Sequence, residues 1–137
     1  MSSNPISKRL RFDRAEVLES PSGQCRVRVT LELGGKNFEA DAVDSADGTG
    51  PLKAAAAATL KAVQEAGANR FTCSLSDLDH VNALGKDLIA VLVDTKFEAS
   101  DVEVFGSCPI AGSTIDCAVR AALNATNRVF ELALREE

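Results

Sequence analysis

What this sequence lacks narrows it first. It has one histidine, His80, and its four cysteines, Cys25, Cys73, Cys108 and Cys117, include no C-x-x-C pair. A zinc site of the usual ligand spacing is therefore absent, and neither a metal nor another cofactor is expected. No apolar run approaches the roughly 20 residues that span a bilayer, so no membrane partner is expected. The opening residues, MSSNPISKRLRF, hold no hydrophobic stretch followed by a small-residue cleavage site. Together these absences point to a cytoplasmic protein with reduced thiols. Residues 1–8 are expected to stand outside the fold as a disordered segment.

Positive charge is also in short supply. The formal net charge is −5, which argues against a nucleic-acid partner, because phosphate backbones are gripped by concentrated Lys and Arg. Arginines do gather locally, at Arg9, Arg11 and Arg14 and again at Arg26 and Arg28. The last two alternate with valine. The solvated face of a strand is the commoner source of such a stripe, and a binding patch is the alternative. With 45% hydrophobic and 26% charged residues in 137, the chain has the profile of one soluble globular domain or two small units sharing a core.

What is present is a pattern written twice. From Gln24 to Leu33, Cys25, Val27, Val29, Leu31 and Leu33 alternate with Arg26, Arg28, Thr30 and Glu32, which reads as a half-buried strand. Gly34-Gly35 then signals a hairpin, since both positions tolerate positive φ. A return strand through Phe38, Ala40 and Ala42 follows, with an earlier strand near Leu10–Leu18. Pro51 opens a helix, LKAAAAATLKAVQEA, that Gly67 closes. The second half repeats the order. A strand begins at Phe71, Cys73 and Leu75, the apolar run LIAVLV leads to a turn at Asp94-Thr95, and Lys96–Phe105 returns. A phase slip there predicts a bulge near Ser100-Asp101. The loop GSCPIAG leads into a long helix from about Ser113 to Leu134.

The halves share letters too, KNFEAD with TKFEAS and AATLKAV with RAALNAT. An internal duplication follows: residues 9–67 and 68–137 as two βββα units, an α+β fold in which antiparallel sheets carry both helices on one side.

The stretch CPIAGSTIDC at the start of the second helix concentrates the candidate chemistry. Ser113 and Asp116 stand three apart, close to a capping box. Ile115, Val119, Ala122, Thr126, Val129 and Ala133 recur at helical spacing and form an inward face. Cys117 falls in the first turn, where the helix dipole lowers a thiol pKa, yet the only histidine to serve as its base is His80, on a loop. An inert core thiol is the commoner outcome. Two glycine-bearing loops, GTGP and PIAGST, open the helices and could cradle an anion on free N–H groups. Neither matches a phosphate-loop or dinucleotide fingerprint. No paired carboxylates or triad stand out, so an enzyme is not expected.

RAALNATNR (Arg120–Arg128) resembles the closing helix, of the form ARAYLNALNR, in the C-terminal regulatory domain of α-isopropylmalate synthase. GTGPLKAAAAATLKAV is similar to that domain's G-x-GPVDA helix opening, and LSDLDHVNALGKDLIAVLV to its L-x-DY…G…VTVRV segment. The resemblance covers nearly the whole chain after about residue 12, as a free-standing chain without the catalytic barrel. It implies a dimerising βββα duplicate that binds a feedback amino acid between its units. It places the ligand on the helix-opening loops: Gly48, Gly50 and Pro51 in the first unit, and Gly106, Ser113 and Asp116 in the second. The chain differs from the family pattern at Ala122, where an aromatic often stands, in having no tyrosine, and in the inserted CPIAG.

The expected function is a non-catalytic module that binds a branched-chain amino acid or similar small molecule and regulates a partner enzyme. The alternative is a homodimeric assembly scaffold that has lost its ligand. The order hairpin, glycine loop, alanine-rich helix is also similar to double-stranded-RNA-binding domains, but only Lys53 and Lys61 appear near the helix opening, beside Asp44 and Asp47.

Overall fold

The computed structural model describes residues 9–135; the expected disordered segment 1–8 lies outside them. The first half forms β1 (Arg11–Leu18), β2 (Gln24–Leu33), β3 (Lys36–Ser45) and α1 (Gly50–Ala66). The second forms β4 (Phe71–Ala83), β5 (Lys86–Phe97), β6 (Ser100–Pro109) and α2 (Thr114–Arg135). Each half makes its own antiparallel sheet, ordered β1-β2-β3 and β4-β5-β6. This is the α+β architecture of duplicated βββα units. No helix among the described residues is long and apolar enough to cross a membrane.

The alternation of β2 sets the first sheet. Cys25, Val27, Val29 and Leu31 turn inward and are buried, while Arg26 and Arg28 point the other way and converge on Asp41 of β3, at 2.7 and 2.8 Å. The arginine stripe is thus an ion-paired outer face. Gly34 and Gly35 take φ of 59° and 85°, the twist that a two-residue hairpin needs, and lock Leu33 opposite Lys36.

Helix α1 lies against β2 and β3 of its own sheet, β4 of the other, and α2. It is therefore surrounded. Its run of alanines answers that demand, since Ala54, Ala55, Ala56, Ala58 and Ala62 are all essentially inaccessible. Small side chains let neighbouring backbones approach from several directions at once. Helix α2 instead keeps one polar face in solvent, with Arg120, Asn124 and Asn127 exposed. Its inward face carries Val119, Ala122, Thr126, Val129 and Ala133, all buried.

Four details differ from the sequence expectation. The β5–β6 turn falls at Glu98-Ala99, with Glu98 at φ 57° and Phe97 opposite Ser100, rather than at Asp94-Thr95. Thr95 sits inside β5, buried, its hydroxyl donating to the Val102 carbonyl at 2.8 Å. The phase slip is this turn and not a bulge; the bulges occur in the first strand of each sheet, at Phe12/Arg14 and Leu75/Asp77. The KNFEAD–TKFEAS match is consequently out of structural register, because Phe38 follows its hairpin turn and Phe97 precedes its own. The helix match is in register: Ala54, Ala58 and Ala62 correspond to Cys117, Ala121 and Ala125, and all six are buried.

The fourth difference concerns Gly106, which belongs to β6 opposite Val91 and not to a helix-opening loop. A methyl group there would run into the Ala121 carbonyl and come within 2.7 Å of the Ala125 side chain. Glycine is required because α2 crosses the sheet in contact with its backbone. Gly106→Ala should therefore lower stability by about 1–3 kcal/mol, seen as a lower urea midpoint with an unchanged slope. An unshifted midpoint would contradict this packing.

Candidate functional site

The polar face of α2 does not look into empty solvent. Arg120, Leu123, Asn124 and Asn127 form one wall of a groove of about 650 Å³. The opposite wall is Arg9, Leu10 and Arg11 at the start of β1, with Glu32 and the Gly34-Gly35 turn closing one side. Each part is placed by the fold. The β2–β3 register brings the glycine turn to the same end of the sheet as Arg11, which pairs opposite Glu32. The inward face of α2 fixes which of its residues look outward.

Two contacts hold the α2 wall. The Arg120 guanidinium lies over the Phe12 ring, 5.2 Å from its centroid, a stacking that suits guanidinium better than ammonium. The Asn124 side-chain carbonyl accepts the Ser107 N–H at 3.1 Å, tying α2 to β6. Arg11 and Glu32 approach to 4.0 Å. Three guanidiniums and one carboxylate thus surround an apolar strip of Leu10 and Leu123. Such a site can take a carboxylate on an oriented arginine, an ammonium on Glu32 and an aliphatic group on the leucines.

None of the residues expected from the helix-opening loops lines this groove. Gly48 is exposed at φ 59° in the turn before α1. Gly50 is buried with its α-carbon against the Ser45 backbone, where no side chain fits. Pro51 occupies the first turn of α1. Gly106 lies under α2. Ser113 accepts the Asp116 N–H at 3.2 Å, so these two make half of a helix cap. The loops also rest on different hairpins: Ala46 donates to the Gly23 carbonyl in the first unit, and Ile110 to the Asp87 carbonyl in the second. The structure gives the two openings no shared cavity among those described.

No family model and no curated protein matches this sequence.

The thiol at the start of α2 is the buried core group that the sequence favours. Cys117 is buried at the start of α2, and desolvation with the neighbouring Cys108 side chain pushes its pKa up to about 11, against the lowering from the Ile89 backbone and from Arg120. His80 lies in β4 rather than on a loop, exposed and 3.8 Å from Asp87. Cys73 is pushed up to about 12 by burial, and Cys25 is a core residue as its phase predicts.

The groove residues could have been found in part. Arg120, Asn124 and Asn127 repeat at spacings of four and three, a polar stripe on one helical face, and they lie in the stretch that carries the family resemblance. Nothing local connects them to Arg9, Arg11 or Glu32.

On the far side of the first sheet, the hydrogen bond from Arg28, reinforced by Arg26, holds the Asp41 carboxyl below the ordinary carboxylate range. The folded state then releases this proton at lower pH than the unfolded chain does. Its stabilisation is complete above the unfolded value, about 3.9, and is lost as pH falls through the folded one. The stability gap between the parent chain and Asp41→Asn, measured by urea unfolding, should stay constant from about pH 7 to about pH 5 and narrow as pH falls below about 4. A gap independent of pH would show that the ion pairs contribute nothing.

Proposed function

We propose that this chain is a non-catalytic module that binds a small zwitterionic, amino-acid-like molecule, as a regulatory domain of the α-isopropylmalate synthase type does. The observation that carries this reading is the groove between β1 and α2, where a stacked Arg120, the acidic Glu32 and the apolar Leu10 and Leu123 face a common space of about 650 Å³. That combination matches the three parts of an α-amino acid: carboxylate, ammonium and aliphatic side chain. The volume lies within the usual range for small-molecule sites. The resemblance in RAALNATNR supports the same reading, with the ligand against the helix face rather than at the helix openings.

A thermal-shift screen against leucine, isoleucine, valine and other amino and organic acids tests it. Ligand at about a hundred times its dissociation constant adds roughly 2.7 kcal/mol, a shift of several degrees for a domain of this size. Arg120→Ala should then weaken binding by about ten- to a hundred-fold, the value of a charge-assisted hydrogen bond, with Arg120→Lys recovering part of it. No shift across the panel, or an unchanged dissociation constant in Arg120→Ala, overturns the assignment.

A second reading, homodimeric assembly, is favoured by a different observation. Val81, Leu88, Leu92 and Phe105 share the face of the second sheet that turns away from the helices, and none is buried. Phe105 is 66% exposed. A second copy laid on this stripe would give a dimer in light scattering at micromolar concentration, and Phe105→Asp should return it to monomer. A monomeric parent chain would end this alternative.

A further inference from the structure

Cys108 and Cys117 stand outside the groove, and the fold brings them together although neither half of the duplication demands it. Cys108 is the second-to-last residue of β6, opposite Ile89, and is partly exposed. Cys117 lies in the first turn of α2 and is 2% exposed. The Cys117 Sγ donates to the Cys108 carbonyl at 3.1 Å. Both sulfurs also sit on one oxygen, the Pro109 carbonyl, Cys108 Sγ at 3.4 Å and Cys117 Sγ at 3.6 Å. The segment between them is a short strand-to-helix connection, so joining its ends costs little chain entropy. Cys25 and Cys73 are differently placed. Both are buried, and Cys73 donates to the Leu60 carbonyl at 3.5 Å within α1.

We propose that Cys108 and Cys117 are a redox modification site, which a peroxide converts to an intramolecular disulfide. Cys108 is the sulfur that solvent reaches, and Cys117 is the resolving partner behind it. In the first step the Cys108 thiolate attacks one peroxide oxygen. The O–O bond breaks, the other oxygen leaves as water after taking a proton, and Cys108 becomes a sulfenic acid. In the second, the Cys117 sulfur gives up its proton and attacks the Cys108 sulfur. The S–O bond breaks and the hydroxyl leaves as a second water. Two thiols lose two electrons, and hydrogen peroxide is reduced to two waters.

The bond would fasten the end of β6 to the first turn of α2, one turn before Arg120. The proposal stands independently of what the groove binds.

The test uses the full chain, treated with a small excess of hydrogen peroxide, alkylated, and digested with trypsin. Cleavage after Lys96 and Arg120 leaves Cys108 and Cys117 in one peptide. Under the proposal that peptide loses about 2 Da and takes no alkylating reagent, the change reverses with dithiothreitol, and Cys25 and Cys73 still alkylate after unfolding. In Cys108→Ser, whose partly exposed site tolerates a hydroxyl, oxidation of Cys117 should fall at least about ten-fold because its sulfur is no longer resolving a neighbour. Two alkyl groups on the peptide, a sulfinic or sulfonic acid on Cys108 beside an alkylated Cys117, linkage only between molecules, or undiminished Cys117 oxidation in Cys108→Ser would each overturn it.

Discussion

A helix that must be packed on nearly every side can carry little but alanine, and α1 is such a helix. It rests on β2 and β3, meets β4 of the second unit, and runs against α2. Leucine or phenylalanine at Ala54, Ala55, Ala58 or Ala62 would push one of these layers away, because interiors have no spare volume to absorb it. The bulk is supplied by the first sheet instead, through Val27, Val29 and Leu31, all inaccessible to solvent, while Ile89, Val91 and Val93 of β5 fill the same role beneath α2. The same economy of space explains glycine at Gly106, beneath α2, and at Gly67, where a side chain would strike the Phe71 ring at 2.6 Å. Gly67 is not needed for its backbone freedom. Its φ is −87°, and the left-handed positions fall on Ala68 and Asn69, both at 58°.

The first unit was more legible in the sequence than the second, for reasons that lie in particular residues. Strand β2 alternates without a break and its hairpin is marked by two glycines, so both periodicity and turn chemistry point to the same register. In the second unit the turn uses Glu98 in a conformation that glycine or asparagine would normally signal. Asp94-Thr95, which does look like a turn, sits in mid-strand. Thr95 can be buried there because its hydroxyl finds the Val102 carbonyl. The letters of KNFEAD and TKFEAS reinforced the wrong register, while the helix match held because buried alanine and cysteine positions recur at the same faces. Gly106 shows the limit of reading glycine as loop: its role depends on a helix that arrives from elsewhere in the chain.

The candidate groove was legible only as fragments. Its α2 wall lies within the stretch that carries the resemblance, and its β1 arginines were visible as a local cluster. Their meeting depends on how α2 of one unit crosses the first strand of the other, a relation that no spacing along the chain encodes. Charge made the fragments ambiguous. Arg26 and Arg28 looked as basic as Arg9 and Arg11, yet their charges are answered by Asp41 on the adjacent strand, whereas Arg120 is held by an aromatic ring that leaves its guanidinium edge available.

The connection between the two units is short and internally bonded. Gly67 donates to the Val63 carbonyl, Ala68 to Glu65, Asn69 to Gln64, and Arg70 to Gly67, while the Arg70 guanidinium reaches across to the Ala133 carbonyl of α2. Two similar halves on one chain are natural substrates for domain swapping, in which the first half of one copy docks on the second half of another. An exchange of that kind requires the hinge to open into an extended strap. Here it would have to break four backbone bonds of the hinge. The bonded hinge thus favours docking of the two units within one chain.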